Sequence, residues 1–469
     1  MKNKNTMVGI ALLVWVSAFP LFSQSRGAIL DPELYNSLPQ KAVQLSRSYT
    51  AIPPAVSLKQ YAPYPGDQNP YGTCVAWASA YAARTIAESI ALNRRDRFLT
   101  TNSVFSPAFV YKSISTDVSC QQGTAIPWAL DLMQDQGAVK MLNLEKSMDF
   151  KNILLSIFSN SRKYPIAGYT TLYVSPRGKT GEDPARTPRV KKSLAEHKPV
   201  IIAINCPDSF FTAQEVWHPS ESPQENYGGH ALCVIGYDDT RYGGAFEIQN
   251  SWGEQWGNAG YIWIPYDVFD RFAIEAYEII EQLTTYKDAV HYAGFAEIER
   301  YGSDEGMPVS FHQGYYQTTL SYPSGTEFRF LIGNDAPAYV YAFAADAVSP
   351  DTTRIFPPEG STISPVLDYG KNVIAFPGEF SWIQMDQQPG TDYLVILYAK
   401  EALDIDALRR RFEGEQGSFP ERVAKAVGPD FIPYQRAHYE PATLRFTAQS
   451  TNTKAVFGLL LAIDHHRSL

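Results

Sequence analysis

The segment YGTCVAWASAYAARTIAE, residues 71–88, begins as a polar turn and continues in a helical pattern. Apolar residues recur at spacings of three and four, which predicts a helix with one buried stripe that ends near Asn93. The positions of the stripe are Val75, Ala78, Ala82, Ile86 and Ile90. Cys74 lies where the loop turns into the helix, and free N–H groups at a helix start lower the pKa of a thiol. This place suits a reactive cysteine, although Cys74 alone would be interpreted as a small buried hydrophobe.

A nucleophilic cysteine needs a base, usually a histidine, and a group that orients the imidazole. His230 opens the predicted strand HALCVIGY, and Asn250 closes the predicted strand AFEIQN after the turn-rich segment DDTRYGG. In a hairpin centred near residues 240–241 the two side chains would lie opposite or nearly opposite each other, so the amide oxygen could accept from one imidazole nitrogen. Gln68, in GDQNPYGTC, is the candidate donor to the oxyanion of acyl transfer, together with the Cys74 backbone N–H.

Three blocks in this order, DQNPYGTCVAWA, GGHALCVIGYDD and IQNSWGEQWGNAGYIWIP, resemble the active-site blocks of bacterial papain-like cysteine peptidases. The resemblance implies an α+β fold in which a papain-like domain has a helical lobe and a β lobe. It also implies a role for each candidate residue: Cys74 as nucleophile, His230 as base, Asn250 as orienting residue and Gln68 as oxyanion donor.

The resemblance extends to residues around the reacting groups. Trp252, in NSWG, would shield the hydrogen bond between His230 and Asn250. Gly123, in CQQGTAIPWAL, matches the glycine whose backbone pairs with an extended substrate. Gly229 directly precedes the histidine and is assigned to substrate binding with Gly123 and Trp252.

The chain also departs from the family pattern. Val75 follows the nucleophile, where the family usually has tryptophan. Tyr71 stands where a cysteine normally bonds the cysteine that matches Cys120, so that disulfide is expected to be absent. These departures bear on specificity and activation more than on catalysis.

The N-terminus reads MKNKNTMVGIALLVWVSAFPLFSQS, with two lysines, an apolar run and small polar residues, which is typical of a secretory signal. We therefore predict a signal peptide at 1–24, an N-terminal extension at 25–56 and the papain-like domain at 57–285. An exported protein is expected, in a periplasmic, cell-surface or extracellular location. No later apolar stretch is long enough for a transmembrane segment.

The pattern changes after the papain-like segment. Short apolar or alternating runs separated by turn residues predict a smaller β-sandwich-like domain at 290–469, interrupted by one helix in DIDALRRRFEGE. This region faintly resembles a bacterial accessory domain of exported proteins, and the sequence assigns it no partner. Within the papain-like segment, further helices are predicted in AIPWALDLMQDQG and RVKKSLAEHK, and strands in VIIAINC, ALCVIGY, AFEIQN and GYIWIP.

Composition narrows the possible functions. A net charge of -9 argues against a nucleic-acid partner. The four cysteines are too few for a disulfide scaffold, and without a CxxC pair the sequence predicts no metal and no cofactor. The leading hypothesis is a secreted cysteine peptidase that acts on peptide or protein substrates. The alternatives are a catalytically weak papain-like scaffold used for binding, and acyl or peptidyl transfer at the same site.

Overall fold

The computed structural model describes residues 25–175, 186–281, 290–303, 305–346, 351–368 and 370–467. The predicted signal peptide at 1–24 lies outside the described residues. Across those ranges, no helix combines the length and the apolar character that crossing a bilayer requires.

An antiparallel sheet of seven strands forms the centre of the first part of the chain, residues 25–281. In chain order its strands are Ala55–Ser57, Gly168–Val174, Val200–Asn205, Gly229–Asp238, Ala245–Gln249, Tyr261–Pro265 and Ala273–Ile280. Strand Gly229–Asp238 pairs with Val200–Asn205 on one side and with Ala245–Gln249 on the other. Strands Val200–Asn205 and Ala245–Gln249 are buried along their whole length. The sheet therefore holds in place the start of strand Gly229–Asp238, where His230 lies, and the end of strand Ala245–Gln249, which Asn250 follows.

Helices pack around this sheet and form a second layer. They are Pro32–Tyr35, Ser46–Thr50, Cys74–Ala76, the π-helix Trp77–Arg84, Thr85–Ala91, Arg97–Thr101, Pro107–Ile114, Ile126–Asp135, Arg186–Ala195 and Tyr266–Phe272. Short 3-10 helices are Lys59–Tyr61, Glu145–Ser147, Phe150–Asn152, Leu155–Phe158, Asp208–Thr212 and Arg241–Gly243, and Ala138–Val139 pairs with Lys163–Tyr164. The helical lobe and β lobe that the sequence predicts are both present.

The helical run that begins at Cys74 continues to Ala91, close to the predicted end. The prediction of a single buried stripe is wrong, because every residue from Cys74 to Ala87 is buried. Strands of the sheet contact the run on one side, and helices Pro107–Ile114 and Ile126–Asp135 contact it on the other. Alanine and serine on the remaining faces let these neighbours approach closely.

The β-rich part, residues 290–467, is a sandwich of a six-stranded and an eight-stranded sheet, which confirms the predicted architecture. The strands of the first sheet are Val290–Arg300, Glu327–Asn334, Asn372–Phe376, Ile383–Gln384, Ala437–Tyr439 and Arg445–Ser450. Those of the second are Val309–His312, Tyr315–Thr318, Tyr322–Pro323, Ala338–Asp346, Thr352–Phe356, Val366–Leu367, Gly390–Ala399 and Val456–His466. Helices Ile405–Gly414 and Phe419–Val427 cover the outer face of the second sheet, and Tyr434–Arg436 is a 3-10 helix. The sequence predicted only the first of these helices.

A cluster of six charged side chains joins the N-terminal extension, the seven-stranded sheet and the β-rich part. Its members are Lys41, Lys192, Lys198, Glu196, Glu278 and Asp368, three of each sign. Lys41 Nζ lies 2.8 Å from Glu278 Oε1 and 3.3 Å from Glu196 Oε2. Lys198 Nζ lies 3.6 Å from Glu278 Oε1 and forms an ion pair with Asp368. Charges of both signs therefore neutralise each other where these three parts of the chain meet, which we call the junction.

Glu278 shows how strongly the cluster is coupled. Burial raises the pKa of its carboxyl, but Lys198 and Lys41 outweigh burial and hold the pKa at about 2, below its ordinary value of 4.5. A carboxyl whose pKa is lower in the folded protein contributes stability above its unfolded pKa, and that contribution is lost as the pH falls. The junction should therefore weaken between about pH 4.5 and pH 2.

We expect the substitution Lys41→Met to destabilise the protein by about 3 kcal/mol, because it removes one of the three cations that neutralise the buried carboxylates of the cluster. The midpoint of urea unfolding at pH 7 measures this loss. Lys454→Met, at an exposed lysine of the β-rich part, is the matched control and should leave the midpoint nearly unchanged. Equal midpoints for the two variants would show that Lys41 does not stabilise the junction.

Candidate active site

Cys74 is the first residue of the long buried helix, and its side chain is 0% exposed. Thr73 precedes the helix without a side-chain cap, so the first N–H groups of the helix remain directed at this end. The backbone N–H of Ala231 donates to Cys74 Sγ at 3.4 Å. The helix of one lobe and the strand that carries His230 thus meet at the thiol.

His230 and Asn250 form a hydrogen bond of 2.8 Å between Nε2 and Oδ1, as the sequence predicts. The backbone N–H of Ser251 also donates to Asn250 Oδ1 at 2.8 Å, which fixes the oxygen as the acceptor. Nε2 therefore carries the proton, and the lone pair lies on Nδ1. Among the described residues, Nδ1 has no hydrogen-bond partner. It is the atom available to accept a proton.

The hairpin places His230 and Asn250 nearly opposite each other, as the sequence predicts. The strands pair as Cys233 with Gln249 and as Asp238 with Ala245, and a bulge after Val234 shifts the register by one residue. His230 and Asn250 are therefore diagonal neighbours rather than direct partners. The hydrogen bond still forms because both side chains lie on one face of the sheet, within the reach of a diagonal pair.

An aromatic wall covers the imidazole. Trp252 stacks on His230 with ring centroids 4.4 Å apart, and Phe211 stacks on Trp252 at 5.2 Å. Phe210 and Trp256 contact the same indole edge-on. The sequence predicted Trp252 but missed both phenylalanines, because they lie in the segment PDSFFTAQEVWHPSESPQENY, which has no catalytic pattern.

Gln68 is anchored by a residue that the sequence did not single out. Ser251 Oγ donates to Gln68 Oε1 at 2.6 Å, and the backbone N–H of Gln68 donates to the Ser251 carbonyl at 2.8 Å. The amide nitrogen of Gln68 is thereby turned towards carbonyl oxygens, at 2.8 Å from that of Tyr71 and 3.1 Å from that of Ser25. The Gln68 amide nitrogen therefore donates to backbone carbonyls on two segments of the chain.

The chain is similar to several known proteins. An uncharacterized peptidase C1-like protein of Acanthamoeba polyphaga mimivirus is 26% identical over 235 residues, which is 46% of this chain and 70% of that protein. Cathepsin K of Mus musculus is 34% identical over 74 residues, 15% of this chain and 22% of its own length. The crystal structure of xylellain, a cysteine protease from Xylella fastidiosa, is 21% identical with a TM-score of 0.42, and the match covers 55% of this chain and 97% of that one.

The model of the papain family of cysteine proteases matches residues 67–281. These residues form a papain-family cysteine protease domain. The segment contains the helix that begins at Cys74, the His230–Asn250 hydrogen bond and six of the seven strands of the first sheet. The domain is a cysteine-type peptidase, a hydrolase.

The cleft of the protease domain is occupied by the chain's own residues 25–29, which we call the strap. The N–H groups of Gly27 and Ala28 donate to the Gly229 carbonyl at 3.1 and 3.0 Å. On the other wall, the N–H of Ile29 donates to the Thr124 carbonyl at 2.9 Å, and that of Thr124 to the Gly27 carbonyl at 2.9 Å. No sequence pattern indicates that the N-terminal extension crosses the cleft.

Gly123 and Gly229, the two glycines predicted to bind substrate, both line this occupied cleft. A Cβ on Gly123 would lie 2.6 Å from the Gly27 carbonyl oxygen, and one on Gly229 would lie 2.2 Å from that of Ala28. Only glycine lets the strap approach this closely. On the wall that carries Gly123, the backbone that pairs with the strap belongs to Thr124, one residue later.

Burial sets the protonation of Cys74 and His230, and the strap contributes through the charge of Arg26. Burial raises the pKa of the Cys74 thiol to about 11. Burial likewise lowers the pKa of the His230 imidazole to about 4, and the positive charge of Arg26 adds to this effect. At neutral pH the closed site therefore holds a thiol and a neutral imidazole instead of an ion pair.

The cysteines and candidate metal ligands complete the inventory of the site. All four cysteines are unbridged and buried. Tyr71, at the position of the missing disulfide partner, packs against Phe150 with ring centroids 5.9 Å apart. Within the ranges that the structure describes, no group of three or more His, Cys, Asp or Glu side chains is arranged to hold a metal ion.

Proposed function

We propose that this protein is an exported peptidase that hydrolyses peptide bonds with Cys74 as nucleophile, His230 as general base and acid, and Asn250 as the residue that orients the imidazole. The observation that carries the proposal is the 2.8 Å hydrogen bond from His230 Nε2 to Asn250 Oδ1. This bond leaves His230 Nδ1 without a hydrogen-bond partner among the described residues. The next residue, Ala231, donates its backbone N–H to the Cys74 thiol.

The proposed reaction has two stages. His230 Nδ1 takes the proton of the Cys74 thiol, the resulting thiolate attacks the substrate carbonyl carbon, and the oxyanion accepts hydrogen bonds from Gln68 Nε2 and the Cys74 N–H. Protonated His230 then gives its proton to the leaving amine, which breaks the C–N bond and leaves a thioester. A water molecule, deprotonated by His230, attacks the thioester carbonyl carbon. The C–S bond then breaks, the acid product leaves, and Cys74 Sγ takes back the proton from His230.

Identification of the cleaved bonds tests this proposal. The protein is incubated under reducing conditions with a denatured protein substrate, and mass spectrometry identifies new termini. New termini that disappear after alkylation with iodoacetamide support a cysteine peptidase. Products joined by new peptide bonds would instead indicate acyl transfer at the same site, and intact substrate would argue for a scaffold used for binding.

Export is the second element of the proposal, supported by the pattern of residues 1–24. We expect protein isolated from its host to begin near Gln24 or Ser25, because a signal peptidase would remove the apolar segment. Intact-mass measurement with N-terminal peptide mapping checks this. A functional protein that retains Met1 would contradict export by cleavage.

A further inference from the structure

Arg26 of the strap lies in a site that suits a guanidinium. It forms an ion pair with Asp208, and its guanidinium carbon lies 4.5 Å from the ring centroid of Phe211. Gly228, with a φ of +92°, makes room for the side chain, since a Cβ there would lie 3.2 Å from Arg26 Cδ. A carboxylate and an aromatic face around one cation form a recognition site for a basic side chain.

This site is continuous with the catalytic imidazole. Phe211 stacks on Trp252 with an angle of 28° between the rings, and Trp252 stacks on His230 with an angle of 21°. The stacked rings of Phe211 and Trp252 therefore link the guanidinium to His230. Gly27, the next residue of the strap, lies at the nucleophile loop, where a Cβ on it would come within 2.1 Å of the Gly72 carbonyl oxygen.

The two directions along the strap correspond to the two sides of a substrate. From Gly27, the chain runs one way to Ala28 and Ile29, which pair with the wall that carries Thr124. It runs the other way to Arg26, beside the rings that cover His230. Because His230 protonates the leaving amine, the substrate residues that leave with this amine must lie on the His230 side. Arg26 therefore occupies the leaving-group side of the cleft.

We propose that Asp208 and Phe211 form a subsite for a basic side chain on the leaving-group side of the scissile bond, and that Arg26 fills it as a surrogate. The inference rests on the proposed peptidase function and adds a substrate class to it: peptides with arginine or lysine directly after the cleaved bond. The sequence marked neither residue, because both lie in a segment without a catalytic motif.

We expect a moderate preference for a basic over an acidic side chain directly after the cleaved bond. The Asp208 side chain is 86% exposed, so water and salt screen its attraction for a cation. The aromatic face of Phe211 adds a contact that salt screens less. We expect kcat/KM to be about fivefold higher for arginine than for glutamate at this position.

The experiment takes the ratio of kcat/KM for two substrates of the same enzyme. Occupancy of the cleft by the strap lowers both values equally and therefore does not change the ratio. Two quenched-fluorescence peptides differ only in arginine or glutamate after the cleaved bond, and a third substrate carries aminomethylcoumarin in place of that residue. They are tested on the full chain, on Asp208→Lys, and on Glu305→Lys, which makes the same charge change at an exposed residue of the β-rich part.

The expected result is an Arg/Glu ratio of about five for the full chain and for Glu305→Lys, and a ratio below one for Asp208→Lys. The coumarin substrate should be cleaved by all three. A ratio near one that Asp208→Lys leaves unchanged, with the coumarin substrate still cleaved, would overturn the subsite while leaving the peptidase function intact. Failure to cleave the coumarin substrate at all would overturn the peptidase function on which the subsite rests.

Discussion

The substitution Cys74→Ala should abolish peptide hydrolysis, with kcat lowered by at least about four orders of magnitude. Alanine keeps the helix start and removes only the sulfur that attacks the carbonyl. Removal of one buried atom should cost about 1 kcal/mol of stability, so the variant should fold. Initial rates with a fluorogenic peptide, measured beside circular dichroism, separate loss of chemistry from loss of fold.

Cys233→Ala is the matched control for this variant. Cys233 is equally buried, and it lies in the strand that carries His230, three residues further along. The same atom is removed at a similar depth, so the structural cost should be comparable while the rate stays near that of the unsubstituted protein. Comparable loss of activity in both variants would show that Cys74 acts through packing, and measurable hydrolysis by Cys74→Ala would remove it from the mechanism.

The residues of the proposed catalytic site could be identified from the sequence because each proposed role has a chemical requirement that few residue types meet. A thiol at a helix start, a histidine at the head of a strand and an asparagine at the end of the next strand are distinctive in order as well as in type. The bulge after Val234 could not be foreseen, but the register on the site side of the bulge keeps the two residues nearly opposite each other, as predicted. The predicted hydrogen bond between His230 and Asn250 forms because the alternation of side chains along the strands places both on one face of the sheet.

The supporting residues could not be predicted, because their roles depend on contacts between distant segments. Ser251 orients Gln68, which lies 183 positions away in the chain. No sequence pattern indicates this role for a serine that follows Asn250. Strand Ala273–Ile280 was not predicted from the sequence. It is buried throughout, but Glu275 and Glu278 interrupt the run of apolar residues by which a buried strand is predicted. The charge of Glu278 is explained only by Lys41 and Lys198, which lie in other segments.

The substitution Gly27→Leu should increase peptide hydrolysis by on the order of tenfold to a hundredfold, because it expels the strap from the cleft. A Cβ on Gly27 would lie 2.1 Å from the Gly72 carbonyl oxygen and 2.4 Å from its carbon, both backbone atoms that cannot move aside. With the strap displaced, water reaches Cys74 and His230, and Arg26 leaves the imidazole. The thiol pKa should fall and the imidazole pKa should rise, which favours the reactive ion pair.

Alkylation of Cys74 by iodoacetamide, followed by mass spectrometry, reports this change independently of any substrate. We expect faster labelling in Gly27→Leu than in the unsubstituted protein, and no change in the control Asn36→Leu, which adds the same side chain at an exposed position of the extension. Gly27→Leu with unchanged labelling and unchanged hydrolysis would show that the strap does not limit access to the site.

The strap must be displaced by substitution because the extension behind it is held on the β-rich part. The N–H of Gln40 donates to the Thr362 carbonyl at 2.8 Å, and that of Leu45 to the Val373 carbonyl at 3.2 Å. Residues 25–29 are thus tethered close to the cleft and return to it as an intramolecular competitor at high effective concentration. Because the tether keeps that concentration constant, dilution of the protein should not raise the specific activity, whereas Gly27→Leu should.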